Sequence, residues 1–218
     1  MAFTRTARRL GLSAAIAAVV LQIAYAAVLG LGLLTLPSPD EPIGEPLLSV
    51  LEILILLMMP ALVVLMVAVH AWAPVASRAL ALAALAFMVL VAGVTCGVHF
   101  VILTLGRQPA FAGEPWQPLV LSFRWPSVVY ALDILAWDVF FPLAMFLAAP
   151  VFAGGGLAGW IRRLMVTSGL LSLAGLAGVA TGDMQLRNVG IVGYVGVFVV
   201  VAALLAVLFK RTAPSPGG

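Results

Sequence analysis

Two carboxylates stand in a stretch of sequence that is otherwise long and apolar enough to cross a bilayer. Asp133 and Asp138 lie within residues 127–152, SVVYALDILAWDVFFPLAMFLAAPVF. A charged side chain at the centre of a bilayer costs about 2.5 to 3.5 kcal/mol on insertion scales, so such a group faces a partner, water or a bundle interior. Two further ionisable groups share this predicament. Glu52 lies near the start of the apolar run 47–72, and His99 lies near the far end of the run 79–105. Histidine changes charge near neutral pH, and a histidine beside carboxylates is the usual material of a proton relay or an ion site.

Counting residues along the helices places these groups in depth. The runs 47–72 and 79–105 form a hairpin that turns near Val75. Glu52 is 23 residues before that turn and His99 is 24 after it, which puts them level. His99 is six residues from the end of its run, and Asp133 is six residues into the next. Glu52, His99 and Asp133 are therefore expected in one layer, roughly 8 to 10 Å below the outer boundary at about 1.5 Å per residue. Tyr130 belongs with them as a supporting residue, as do Asp183 and Arg187 of a short outer loop.

Asp138 is deeper, close to mid-bilayer, and Pro142 follows four residues later. A proline removes the hydrogen bond to the carbonyl four positions back, here that of Asp138 itself. The expectation is a kinked or interrupted helix with a carboxyl group and a freed carbonyl together, as in the broken helices of transporters. The alternative is a kinked helix whose Asp138 is neutral and bonded to a neighbour such as Gln22 or Tyr25. On an ideal helix the two aspartates are about 140° apart, which forbids a shared target.

Other chemistries fit less well. Cys96 precedes His99 by three residues on the same helix face, so Cys96, His99, Glu52 and Asp133 could in principle hold zinc. The ligands would come singly from separate helices, and no metal is assigned. Haem between His70 and His99 fails on depth, since the two differ by nearly 30 Å. No phosphate loop, serine-nucleophile motif, nucleic-acid module or cofactor motif is present. Gly154, Gly155 and Gly156 lack the strand-to-helix setting of a phosphate cradle and read as a flexible inner loop.

The elements that position these groups follow from composition. The chain has 218 residues, of which 64% are hydrophobic and 9% charged, far below the quarter that covers a soluble surface. Six apolar runs are legible, at about 11–36, 47–72, 79–105, 127–152, 164–181 and 189–209. Each is long enough to span the hydrocarbon core. The fold class is an all-α membrane protein, a bundle of six transmembrane helices, forming one polytopic domain over residues 1–218. Ala24-Tyr25-Ala26 resembles a signal-peptide cleavage site, but the apolar run continues to Leu36 and reads as a true span. The first loop is acidic, with Asp40, Glu41 and Glu45, and the longest, 106–126, carries Trp116 and Trp125.

Positive charge sets the orientation. With both termini cytoplasmic, eight of the eleven basic residues fall inside: Arg5, Arg8, Arg9, Arg78, Arg162, Arg163, Lys210 and Arg211. Arg107, Arg124 and Arg187 fall outside. The positive-inside rule selects this orientation, in a cell membrane of the bacterial inner-membrane kind. The lone Cys96 forms no disulfide within the chain. Ala174, Gly178 and Gly182 recur every four positions, and Gly190, Gly193 and Gly196 every three. Such small-residue stripes serve close packing within the chain or a homo-oligomer seam.

Three functions are compatible with this pattern. The first is a proton-linked transporter or channel for a small solute or ion, built on Asp138 and the outer layer. The second is a membrane-embedded enzyme acting on a lipid at the outer face, and the third a structural or accessory subunit whose polar residues only hold helices together. The lipid bilayer is the one partner implied directly, and nothing implies nucleic acid.

Overall fold

The computed structural model describes residues 3–38 and 41–214; Asp40 and the Pro/Gly tail from 215 onward lie outside the described residues. The chain is 82% helical, with no strand among the described residues. Its six long apolar helices are α1 (Arg5–Leu34), α2 (Leu47–Trp72), α3 (Val75–Arg107), α4 (Val128–Val151), α5 (Gly156–Thr181) and α6 (Met184–Arg211). Each is long and apolar enough to cross a membrane.

Four helices start earlier than the apolar runs alone suggest, α3 among them at Val75. α1 begins at Arg5, where the Thr4 hydroxyl caps it by accepting from the Ala7 N–H at 3.1 Å. α5 begins at Gly156 rather than near residue 164, so Arg162 and Arg163 lie within it. Gly154 and Gly156 have φ of 99° and 62°, a backbone that side-chain-bearing residues rarely adopt, so the glycine run is a shaped turn into α5. α6 begins at Met184 rather than near 189, after a left-handed Gly182 and an Asp183 cap whose Oδ1 accepts from the Gln185 N–H. That shift takes Arg187 out of the loop and into the bundle.

Consecutive helices pack side by side, and α1 closes the ring against α6. Lipid and side-chain interiors are equally apolar, so helices in a membrane are sorted by size more than by polarity. α1 shows this. Ala14, Ala15 and Ala18 face the bundle, while Ile16, Val20 and Ile23 are more than half exposed on the outer face. In α4 the apolar window is 61% buried, against 22 to 44% for the other five spans. The helix that carries two aspartates is thus the one most shielded from lipid.

The end of the bundle that holds both termini and the α2–α3 turn is densely filled. Phe141, Met145, Phe152, Met165, Phe198 and Phe209 are essentially inaccessible there. Trp72 stacks on Phe152 with ring centroids 5.3 Å apart, and Phe3 on Phe209 at 5.8 Å. Arg8 reaches across to the last turn of α6 and donates to the carbonyls of Phe209 (3.0 Å) and Lys210 (2.7 Å). Those carbonyls have no partner within their own helix.

α5 and α6 meet through the small-residue stripes. A Cβ on Gly193 would lie 2.7 Å from the Ser168 carbonyl and 2.8 Å from the Ser172 nitrogen, and one on Gly178 would lie 3.1 Å from the Arg187 nitrogen. Ser168 Oγ donates to the Gly193 carbonyl at 2.9 Å. At Gly178, Gly190 and Gly193, therefore, the stripes serve contacts within the chain.

Both α4 and α6 contain a π segment, Leu135–Phe140 and Val192–Val197. In α4 the Phe141 N–H donates to the carbonyl of Ala136, five positions back, and Pro142 follows at once. The helix is widened before the proline and runs on through it, so that of the kink or interruption expected from the sequence the interruption does not occur. π segments are rare and concentrate at functional sites. These two touch: the rings of Trp137 and Tyr194 are 4.9 Å apart.

Candidate functional site

Five ionisable side chains from α2, α3, α4 and α6 form one continuous chain in the opposite half of the bundle. His99 Nδ1 is 2.6 Å from Glu52 Oε2, and its Nε2 is 3.4 Å from Asp133 Oδ1. Arg187 Nη2 donates to Asp133 Oδ2 at 2.7 Å, and its Nε donates to Asp138 Oδ2 at 2.9 Å. Glu52, His99, Asp133, Asp138 and Arg187 are all at most 4% exposed. The structure thus brings Glu52, His99 and Asp133 together as the counting along the hairpin expects.

The two aspartates do share a target, contrary to the 140° argument. That argument assumed an ideal α-helix throughout. Asp138 lies in the π segment, whose i→i+5 bonding widens the turn and brings residues five apart toward one face. The arginine side chain spans the remaining gap with two different nitrogens. Arg187 is therefore the partner of Asp138, in place of the suggested Gln22 or Tyr25.

Arg187 is held on every side. Its guanidinium carbon lies 4.7 Å from the centroid of the Tyr130 ring, within the range of cation–π attraction. Its backbone passes close to Gly178, where any larger residue would push α6 away. Tyr130 itself is placed by the start of α4, where Ser127 Oγ accepts from the Tyr130 N–H at 3.2 Å. Phe123, from the long loop, packs against both the His99 ring (5.4 Å) and the Tyr130 ring (5.1 Å) and roofs the cluster.

Glycines shape the far side of Asp138. A Cβ on Gly175 or Gly190 would fall 2.9 or 2.7 Å from Asp138 Oδ1. That oxygen is buried and has no hydrogen-bond partner, whereas Oδ2 is taken by Arg187. One carboxylate oxygen is served and the other is orphaned.

Counting charge gives the site its character. Three acids, Glu52, Asp133 and Asp138, face two bases, His99 and Arg187. With every group ionised one negative charge is left over, and with a neutral histidine two are. Buried net charge is strongly unfavourable in a low-dielectric interior. The cluster is balanced only by holding an additional proton or cation.

Two cavities reach the cluster, and they meet at His99 and Tyr25. One, of about 380 Å³, runs from Glu52 and His99 up to Glu45, Arg107 and Gln117. The other, of about 200 Å³, is lined by Gln22, Tyr130, Asp133, Trp137, Arg187 and Tyr194 among others. At the mouth of the first, Arg107 Nη2 pairs with Glu45 Oε1 at 2.7 Å and Nη1 donates to Ser49 Oγ at 2.7 Å.

The remaining sequence-derived residues divide. Gln22 and Tyr25 line the second cavity, and Gln22 Nε2 donates to the Tyr194 carbonyl at 2.9 Å. Asp183 caps the start of α6 and stays outside the chain of charges. Cys96 packs against the main apolar core, and no His, Cys, Asp and Glu grouping suited to a metal ion occurs among the described residues. Trp137 and Tyr194 were missed, because an aromatic residue in an apolar run carries no signal of its own.

Fold and site together define a polytopic integral membrane protein with a buried chain of ion pairs in one half of its bundle. No protein-family model, curated protein or solved structure matches the chain.

Proposed function

We propose that the protein is a proton-linked carrier of a small solute, with Asp138 as the group that takes up and releases the proton. The observation that carries this reading is the uneven chain Glu52–His99–Asp133–Arg187–Asp138, three acids on two bases, ending on an oxygen without a donor. An ionised carboxylate oxygen calls for donors, and Asp138 Oδ1 has none, so this oxygen is where the balancing proton sits. His99, with a ring nitrogen toward each neighbouring acid, connects that chain to the cavity at Glu52. Protons entering there would pass along histidine and carboxylates rather than through lipid. The dense opposite half of the bundle supplies the barrier that any carrier needs in a state open to one side.

The orientation that belongs with this reading has both termini in the cytoplasm and the cluster toward the outside of a bacterial-type cell membrane. Burial of Arg187 strengthens it. Removing that residue from the loops leaves two basic residues, Arg107 and Arg124, on the outer side against eight on the inner.

Infrared spectroscopy of the protein in lipid tests the proton directly. The expected result is a protonated-carboxyl stretching band that shifts in heavy water and is missing in Asp138→Asn. If the wild type has no such band, every acid in the chain is permanently ionised and the proton-linked reading falls.

A further inference from the structure

The smaller cavity touches three of the five charged groups, His99, Asp133 and Arg187, and its other walls differ in kind. Tyr25, Tyr130, Trp137 and Tyr194 contribute aromatic rings, and Gln22 and Asp133 contribute polar groups. Arg187 is already matched by two aspartates and the Tyr130 ring, which leaves no unsatisfied positive charge for an anion. The surplus is negative. Gln22 adds a second, independent sign. It is 2% exposed, its Nε2 is bound to the Tyr194 carbonyl, and its Oε1 is buried without a partner. A lone buried acceptor beside a cavity is a place for a ligand N–H or O–H.

A net negative charge, an orphaned acceptor and several aromatic faces together suit one chemical class. Aromatic rings attract cations most strongly when both are desolvated, and an ammonium group has donors to spare but no acceptor. We infer that this cavity binds a small lipophilic amine in its protonated form, whose ammonium replaces the cluster's balancing proton. The inference rests on the proton-linked reading of the same site and names its substrate class. The exchange conserves charge: one organic cation enters, and one proton leaves for the water on the cavity side. The titratable groups that line the cavity are Tyr25, His99, Tyr130, Asp133, Arg187 and Tyr194; Glu52 stands behind His99, and Asp138 behind Arg187. A cation bound among them alters the balance of the whole chain rather than of one acid.

The test uses the full-length protein in detergent and three probes of nearly equal shape: 2-phenylethylamine, 2-phenylethanol and phenylacetate. Calorimetry reads affinity, and a pH indicator in weak buffer reads protons released. The amine is expected to bind at least about tenfold more tightly than the alcohol, a difference of ~1.4 kcal/mol, to release a proton on binding, and to outcompete phenylacetate completely. Gln22→Met should weaken the amine by about the same factor and the alcohol, whose neutral O–H is a weaker donor to the same oxygen, by less. Equal affinity for alcohol and amine would overturn the inference in favour of a plain apolar pocket. Tightest binding of phenylacetate would overturn it in favour of an anion site on Arg187, and amine binding without proton release would refute the exchange. These outcomes are separate from the infrared band of Asp138, which decides the proton-linked reading even if no probe binds.

Discussion

Arg187 and Asp138 are 49 residues apart in sequence, yet Nε of the one donates to Oδ2 of the other at 2.9 Å in the interior of a membrane bundle. The pair joins α6 to α4, and through Asp133 and His99 the same contact network reaches α3 and α2. Removing Arg187 leaves two acids without their shared donor, and removing Asp138 leaves the Arg187 Nε unserved among apolar helices.

Arg187→Leu strands both aspartates. Breaking a buried ion pair by deleting one partner costs about 3 to 5 kcal/mol, so this variant should unfold well below the wild type in a detergent melt. Arg187→Lys should recover only part of the loss, because an ammonium lacks the fork that serves two carboxylates at once. A melt of Arg187→Leu equal to wild type would show that the pairs contribute nothing.

The glycines around the site separate packing from chemistry. Gly193→Ala places a methyl against the Ser168 carbonyl and the Ser172 nitrogen, both backbone atoms, and should destabilise by about 1 to 3 kcal/mol. Gly190→Ala meets Asp138 Oδ1 at 2.7 Å, so it should disturb the Asp138 infrared band more than Gly193→Ala does. Gly97→Ala, with nothing within 4 Å of its added carbon, should melt at or above the wild-type temperature.

Orientation is checked with reporter fusions. A reporter after Arg211 should be active only in the cytoplasm, and one inserted at Gly113 only outside. The reverse result would place the cluster on the cytoplasmic side and remove the support drawn from the basic residues.

Asp138→Asn and Asp138→Leu together separate a proton carrier from a structural tie. The amide keeps the size and can still accept from Arg187, so Asn should fold with a stability near that of wild type while losing proton coupling. Leucine leaves the Arg187 Nε unserved, and a buried unpaired partner costs about 1 to 3 kcal/mol, more for a charged group. Equal thermal stability of Leu and wild type would contradict the ion pair.

The fold and the layer of three groups were legible because both follow from simple counting. Apolar run lengths mark the helices, and the rise per residue puts Glu52, His99 and Asp133 level. Arg187 was half legible. It was noted beside the last span, but as a loop charge, since a run of hydropathy has no means of showing a four-residue 3₁₀ turn and Asn188 joined to its start. Two aspartates in one span without a cation on their own helix are the signal that could have drawn it inward. The shared target of Asp133 and Asp138 was not legible at all. It depends on a π segment that Pro142 hints at and does not specify.

The central claim is that the chain of charges holds one exchangeable proton at Asp138, and a proton-binding titration of the solubilised protein tests it most directly. Wild type and Asp138→Asn would be titrated in parallel from mild acid to mild alkali, with folding monitored throughout. Wild type should release one proton more than the variant across that range. Superimposable curves would mean that Asp138 never exchanges a proton there, and the chain of ion pairs would then be a structural tie between helices.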